Sequence, residues 1–456
     1  MNLALLLFSI FFSVVIIYPL TPAVPCGARW TLAVTLTLVL HALLYFWLLL
    51  LHMDFNNAII ATAASGFIVF SAMVLRGKII PLFGSAWSHS GLFFILLLLF
   101  AFLNYLRYSI PWGEWDGWAI WNPHAKFLYY SDNWTRLFSG KYGWSHPDYP
   151  LMLPSLIAMV WKPAGNMHYI VPVMVGALPL AGIMVLLFSA CKDPYTGIFS
   201  ALLIALDNHF IALAASQYAD VLLAFFYLLT VVIIKRMEDA LTGKANLLFF
   251  LGFVAASCLW VKNEGMVFFI ISSVYSFALF RKEPGFLWKY TSGFIIVILT
   301  WGVFKLFLAP ANDMVAGLTF NTIHKISDPG RYLILAGKVV RVVLTEYPLL
   351  PVMLFFLLVR WRWLPGSFII IGTTFMIYLS AYIVTPHDLK WHLETSLNRL
   401  IVHLYPAVLF IFAVKLSDFS NNPDPLLLNP NLDKPESKCK MQNAKRQKPF
   451  SIILCQ

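Results

Sequence analysis

Long uninterrupted apolar blocks constrain this chain more than anything else in it. Met1–Leu20, Thr31–Leu51, Gly91–Leu106, Ile170–Ala190, Val221–Ile234, Met266–Phe280, Thr291–Leu308 and Ser367–Val384 each approach the ~20 residues a bilayer requires of a helix. Lipid offers no partners to backbone N–H and C=O groups, so only helices or closed barrels span it. Barrel strands alternate polar and apolar side chains, and these blocks do not. Charged residues are 12% of the chain, against about 25% in a soluble domain. The expectation is an all-α, polytopic transmembrane protein.

The net charge of +11 does not call for nucleic acid, because its placement is that of a topology signal. Arg29, Arg76 with Lys78, Lys192, Lys235 with Arg236 and Lys244, Arg281 with Lys282 and Lys289, and Arg360 with Arg362 sit in short turns between apolar blocks. The positive-inside rule makes these turns cytoplasmic, together with the basic tail. A consistent alternation then has 13 spans, near 2–20, 30–51, 57–75, 91–108, 168–190, 194–213, 217–234, 246–261, 264–280, 290–309, 346–359, 364–384 and 399–415. Three N-terminal spans occupy 1–90, a core 91–416, and a disordered basic tail 417–456. The long outer connections are Tyr108–Met167 and Pro310–Thr345, with a shorter, densely polar one at Thr385–Asn398. Within the first, Trp118–Tyr130 and Leu151–Trp161 read as interfacial helices. Met1–Leu20 lacks the basic start of a cleavable signal, and the five cysteines form no CxxC pair.

The outer connections hold the chemistry. The first contains Glu114-Trp115-Asp116-Gly117-Trp118 and closes on His146-Pro147-Asp148-Tyr149-Pro150. A carboxylate among tryptophans at the membrane surface suits a general base; solvated acids beside an aromatic belt are the plainer reading. Asp220 precedes an apolar run, and Lys262 and Glu264 lie between two such stretches with almost no loop. Charges at membrane depth are costly and normally face a polar cavity, although a helix cap or a turn ion pair would also account for them. The last connection gathers His387, Lys390, His392 and Arg399, a set suited to a lipid phosphate. Snorkelling cations are the alternative for Lys390. Zinc on His387 and His392 is disfavoured by their i,i+5 spacing.

Taken in order, these segments resemble the GT-C class of membrane glycosyltransferases, which includes the protein O-mannosyltransferases and the bacterial lipid A aminoarabinose transferase. The resemblance rests on Trp115-Asp116-Gly117-Trp118 with Ala125-Lys126, His146 through Leu151, Tyr218-Ala219-Asp220, Lys262-Asn263-Glu264-Gly265, and the terminal His392 and Arg399, covering roughly Gly91–Leu416. It implies a polyprenyl-phosphate sugar as donor and a glycan, lipid or protein as acceptor. It also implies an inverting displacement with Asp116, or else Glu114, as base. Lys390, His392 and Arg399 would hold the phosphate, and His146, Asp148, Tyr149, Asp220, Lys262, Glu264 and His387 would line the site. No cofactor is implied, though a divalent metal is compatible with the acids. On family grounds the setting is a bacterial inner membrane, with the site facing the periplasm. A translocator of lipid-linked sugar and a ligase that moves a whole glycan are the alternatives.

Overall fold

The computed structural model describes residues 2–21, 26–75, 89–191, 193–240, 244–312, 314, 317, 324–359 and 365–421. All regular structure among the described residues is helical. In chain order come α1 Asn2–Ile17, α2 Cys26–Leu50, α3 Phe55–Leu75, α4 His89–Tyr108, α5 Asn122–Tyr130, α6 Met152–Ala164, α7 Ile170–Ala190, α8 Pro194–Leu206 and α9 Asn208–Ala215. Then follow α10 Asp220–Asp239, α11 Leu248–Val261, α12 Gly265–Phe280, α13 Phe286–Phe307, α14 Pro329–Glu346, α15 Leu350–Val359, α16 Ser367–Ile383 and α17 Leu389–Asn421. Seven described helices are long and apolar enough to cross a membrane, or up to nine if each of two bent pairs is one span. This is a helical membrane protein.

A helix apolar all round belongs inside a bundle, and α10 is buried along nearly its whole length. It packs against α7, α11 and α17. In lipid the hydrophobic effect does not drive helices together, so close backbone approach matters. The α11–α13 contact achieves it with glycine: a Cβ on Gly252 would meet Tyr290 O at 2.2 Å, and one on Gly293 would meet Phe249 O at 2.1 Å. The first three helices are joined by a polar chain at mid-length. Ser9 Oγ lies 2.9 Å from His41 Nε2 and donates to Thr62 Oγ1 at 2.9 Å. Further along α2, Tyr45 donates to Leu128 O at 2.9 Å and Trp47 Nε1 to Thr300 Oγ1 at 2.8 Å. The N-terminal helices are thereby tied to the rest.

Each helix that leaves one end of the bundle at a site residue arrives at the other end near basic ones. α10 runs from Asp220 to Arg236, and α12 from beside Glu264 to Arg281. At ~1.5 Å per residue these ends are about 25 Å apart. The basic positions Arg76, Lys78, Lys192, Arg360 and Arg362 lie outside the described residues.

Five expectations are corrected. The span at 194–213 is broken, α8 and α9 meeting at 67°, where the side chain of Asp207 accepts from Phe210 N at 2.9 Å and caps a new helix. The outer connection Pro310–Thr345 contains the 18-residue α14. It meets the 10-residue α15 at 106° across Tyr347-Pro348-Leu349, so the expected span at 346–359 begins with a sharp break. Proline disfavours helix in the residue before it, and Tyr347 has left the helical region. Thr385–Asn398 is mostly the start of α17, where Asp388 Oδ1 accepts from Trp391 N. At the other end that helix continues to Asn421, beyond the expected start of the tail at 417; the remainder lies outside the described residues. The two short helices expected in the first outer connection are present, as a π-wound Gly117–Trp121 running into α5, and as α6.

Candidate functional site

Asp220, at the first turn of α10, is fully buried and gathers three basic side chains. Lys262 Nζ donates to its Oδ1 at 2.9 Å, and His403 Nε2 lies 2.8 Å from the same oxygen. Arg399 forks onto Oδ2, with Nε at 3.2 Å and Nη2 at 2.9 Å. Arg399 Nη2 also contacts Asp116 Oδ2 at 2.6 Å, and its guanidinium lies 4.9 Å from the Tyr218 ring centre. One cation thus bridges a fully buried carboxylate and one that remains partly open, Asp116.

The spacing of α17 makes this possible. His392, Ser396, Arg399 and His403 recur every three or four residues, on one helix face. Their partners follow in a line: Thr385 Oγ1 is 2.9 Å from His392 Nδ1, Tyr382 OH is 2.7 Å from Ser396 Oγ, and then come the two aspartates. The deeper part is walled by Tyr227 and Tyr378, whose hydroxyls are 2.6 Å apart. Tyr227 OH also donates to Glu264 O at 3.1 Å.

Lys262 bridges Asp220 to Glu264, whose Oε1 is 3.1 Å away. The Glu264 side chain keeps 26% of its surface exposed, while its Oε2 is buried without a hydrogen-bond partner. Beside it, Asp148 Oδ2 accepts from Asn263 Nδ2 and Asn312 Nδ2, both at 2.7 Å. Lys305 Nζ donates to Asp148 O at 2.6 Å and Asn263 Oδ1 at 2.7 Å. Asp148 therefore fastens the first outer connection to the ends of α11 and α13. Tyr149 is stacked between Trp121 and His146, at 5.5 and 5.1 Å. Burial, reinforced by the Glu264 carboxylate, holds its hydroxyl well above the usual tyrosine range, so it is a neutral hydrogen-bonding group.

The segment carrying Asp116 is held rigidly. Asn122 Nδ2 donates to Trp112 O at 2.7 Å and Gln217 Oε1 at 2.8 Å, Gln217 Nε2 donates to Ile110 O at 2.9 Å, and Glu114 N donates to Ser216 O at 3.1 Å. Close approach to Ser216 requires glycine: a Cβ on Gly113, at φ +78°, would meet Ser216 O at 2.4 Å, and one on Gly117 at 2.6 Å. Nearby, His124 is fully buried with Nε2 2.9 Å from Ser145 O and Nδ1 unpartnered. Burial pushes its pKa down to about 4.

Asp116, Asp148, Tyr149, Asp220, Lys262, Glu264 and Arg399 are thus brought together, with His146 against Tyr149 and His392 two turns before Arg399. Two candidates stand apart. The Glu114 side chain is exposed, because its backbone is the part that docks, and Asp116 rather than Glu114 reaches the cluster. Lys390 is exposed on α17, off the face that carries Arg399. His387 stacks near Trp391 and His392 at the mouth. His403, Tyr227, Tyr378 and Lys305 escaped sequence reasoning. For His403 a signal existed, the i,i+4 step from Arg399 inside an apolar helix. Among the described residues no three His, Cys, Asp or Glu side chains are grouped to hold a metal ion. No family model, curated protein or solved structure matches the chain.

Proposed function

We propose that this helical membrane protein is a GT-C-type glycosyltransferase that moves a sugar from a polyprenyl-phosphate donor to an extracytoplasmic acceptor. The observation that carries the reading is the contact between Asp116 and Arg399, with Arg399 anchored from behind by Asp220. An inverting displacement needs a base for the acceptor hydroxyl and a cation for the departing phosphate within reach of one sugar. Asp116 takes the hydroxyl proton, and the acceptor oxygen bonds to the anomeric carbon. The carbon–phosphate-oxygen bond breaks, its electron pair goes to the phosphate, and Arg399 offsets that charge. Lys262, with Glu264, and Tyr149 line the approach. Arg399 and Asp116 neutralise each other across their contact. The basic ends of α10 and α12 lie opposite the site, which under the positive-inside rule supports an extracytoplasmic site; a bacterial inner membrane is the setting proposed.

The test uses purified protein in nanodiscs with a polyprenyl phosphate carrying a radiolabelled sugar, followed for donor hydrolysis and for transfer to membrane extract. Loss of both in Asp116→Asn and Arg399→Ala, with the fold retained, is the expected result. Retention in both variants sinks the assignment. A second reading, a translocator of a lipid-linked sugar, is favoured by one observation: the helix breaks at α8–α9 and α14–α15 face each other. His209 lies 3.6 Å from Glu346 across them and 2.6 Å from Asn398 Nδ2, and broken helices mark many transporter sites. Flipping without any hydrolysis would select it.

A further inference from the structure

A second concave site lies outside the Asp116 cluster, between the α2–α3 turn, the end of α5 and the end of α6. It is a cavity of about 260 Å³ lined by Tyr45, His52, Asp54, Phe55, Ser131, Asp132 and Lys162, among others. Tyr45 and Phe55 are buried and pack edge-to-face, their ring centres 4.6 Å apart, giving an aromatic floor. Lys162 is half-buried and donates to Tyr129 O at 3.1 Å and Ser131 Oγ at 2.9 Å, which leaves one of its three N–H groups for a ligand. Asp54 uses one carboxylate oxygen to accept from Asn56 N at 3.2 Å. Asp132 is exposed at the rim.

The geometry points to a sugar-binding subsite that holds a neutral residue of the acceptor glycan, an inference that rests on the transferase reading above. Three features select the ligand. The volume is just below the range for drug-sized ligands, ~300 Å³ and upward, and so suits a single sugar ring. Carboxylate acceptors and an ammonium donor over an aromatic floor match hydroxyls that both donate and accept around an apolar ring face. Asp54 and Asp132 set two carboxylates against the one ammonium of Lys162, a balance that disfavours a phosphate and separates this site from the one at Arg399. The helical run from Gly117 to Tyr130 joins the two sites. At ~1.5 Å per residue the cavity lies roughly 20 Å from Asp116, so the acceptor would be an oligosaccharide that presents its terminal hydroxyl at Asp116 and rests an inner residue here.

The test is equilibrium binding of fluorescently labelled neutral gluco- and manno-oligosaccharides to the full chain in nanodiscs, with donor hydrolysis measured on the same preparations. Asp54→Asn keeps the helix cap, and Asp132→Asn alters an exposed side chain, so both are expected to fold. Each is expected to weaken binding at least about tenfold, as the loss of a charged hydrogen bond does, while inorganic phosphate does not compete. If the wild type binds none of these glycans, if the cavity variants bind as well as the wild type, or if Asp116→Asn alone abolishes binding, the subsite is wrong. Absent donor hydrolysis with intact, cavity-dependent binding would overturn the transferase reading only.

Discussion

Replacing Asp220 with Asn tests the central claim about the site, that one buried carboxylate organises it. The substitution preserves shape and removes the charge facing Lys262, Arg399 and His403. Breaking one side of a buried ion pair costs about 3–5 kcal/mol, because the partner is left uncompensated. Here the partners are unequal. Arg399 is 20% exposed and keeps Asp116, so its share is small. His403 can remain neutral. Lys262 is 3% exposed and retains only the partly open Glu264, so the lower end of that range applies, about 3 kcal/mol. The assay is reversible unfolding of purified protein in mixed detergent, read by tryptophan fluorescence. If the cost arises from the stranded Lys262, adding Lys262→Met to Asp220→Asn raises stability above that of the single variant, since the double-mutant coupling then has the opposite sign. A loss below about 1 kcal/mol, the value of an exposed pair, or a double variant less stable than Asp220→Asn, would refute this account.

Other consequences concern position and protonation. Arg399→Lys is expected to lower transfer at least about a hundredfold in the nanodisc assay, since an ammonium cannot fork onto Asp220 while reaching Asp116; Lys390→Gln, on an exposed position, is expected to leave it within about twofold. Gly117→Ala drives a Cβ into Ser216 O and shifts Asp116, so donor hydrolysis should fall while far-ultraviolet dichroism stays helical. His124 is neutral when folded, with a pKa near 4 against 6.5 unfolded. Its contribution is therefore fully present above pH 6.5 and is lost as pH falls from 6.5 toward 4, amounting to about 3 kcal/mol. Limited proteolysis within 110–150 should accelerate across that window, and His124→Gln should flatten the profile.

Much of this was legible because lipid makes the sequence pattern blunt: an apolar block of bilayer length has few alternatives to a helix. The site was partly legible for the same reason, since Asp220, Lys262, Glu264 and Arg399 are costly where they stand. Four kinds of feature were hidden. Helix breaks depend on a local capping choice, such as Asp207 accepting from Phe210 N, and an apolar run with one Asp reads as continuous. Neutral members of the site, Tyr227 and Tyr378, are ordinary core residues in sequence; only the fold brings their hydroxyls within 2.6 Å. Glu114 and Asp116 are two residues apart, and only the docking of Glu114's backbone on Ser216 decides which carboxylate turns inward. The cavity at Lys162 uses residues from three separated segments, none remarkable alone.

Trp112, Ser131 and His146 all hold positive φ, as does Gln217, which clasps this connection to the bundle. Each such residue stores about 1–3 kcal/mol of strain and persists only where surrounding contacts overdetermine it. Such a segment cannot loosen piecemeal: releasing Gln217 removes the support for Trp112 and Asn122 together. The segment 110–149 is in effect a fixed wall. On the proposed reading, α14 is the element left to admit a lipid carrier, and its outer face carries the exposed Leu333, Val340 and Leu344. Its near end is moored by Arg331, donating to Ile383 O and Tyr382 O. Hydrogen exchange should accordingly be slow across 110–131 and fast across 329–346; the reverse order would place the gate in the wall.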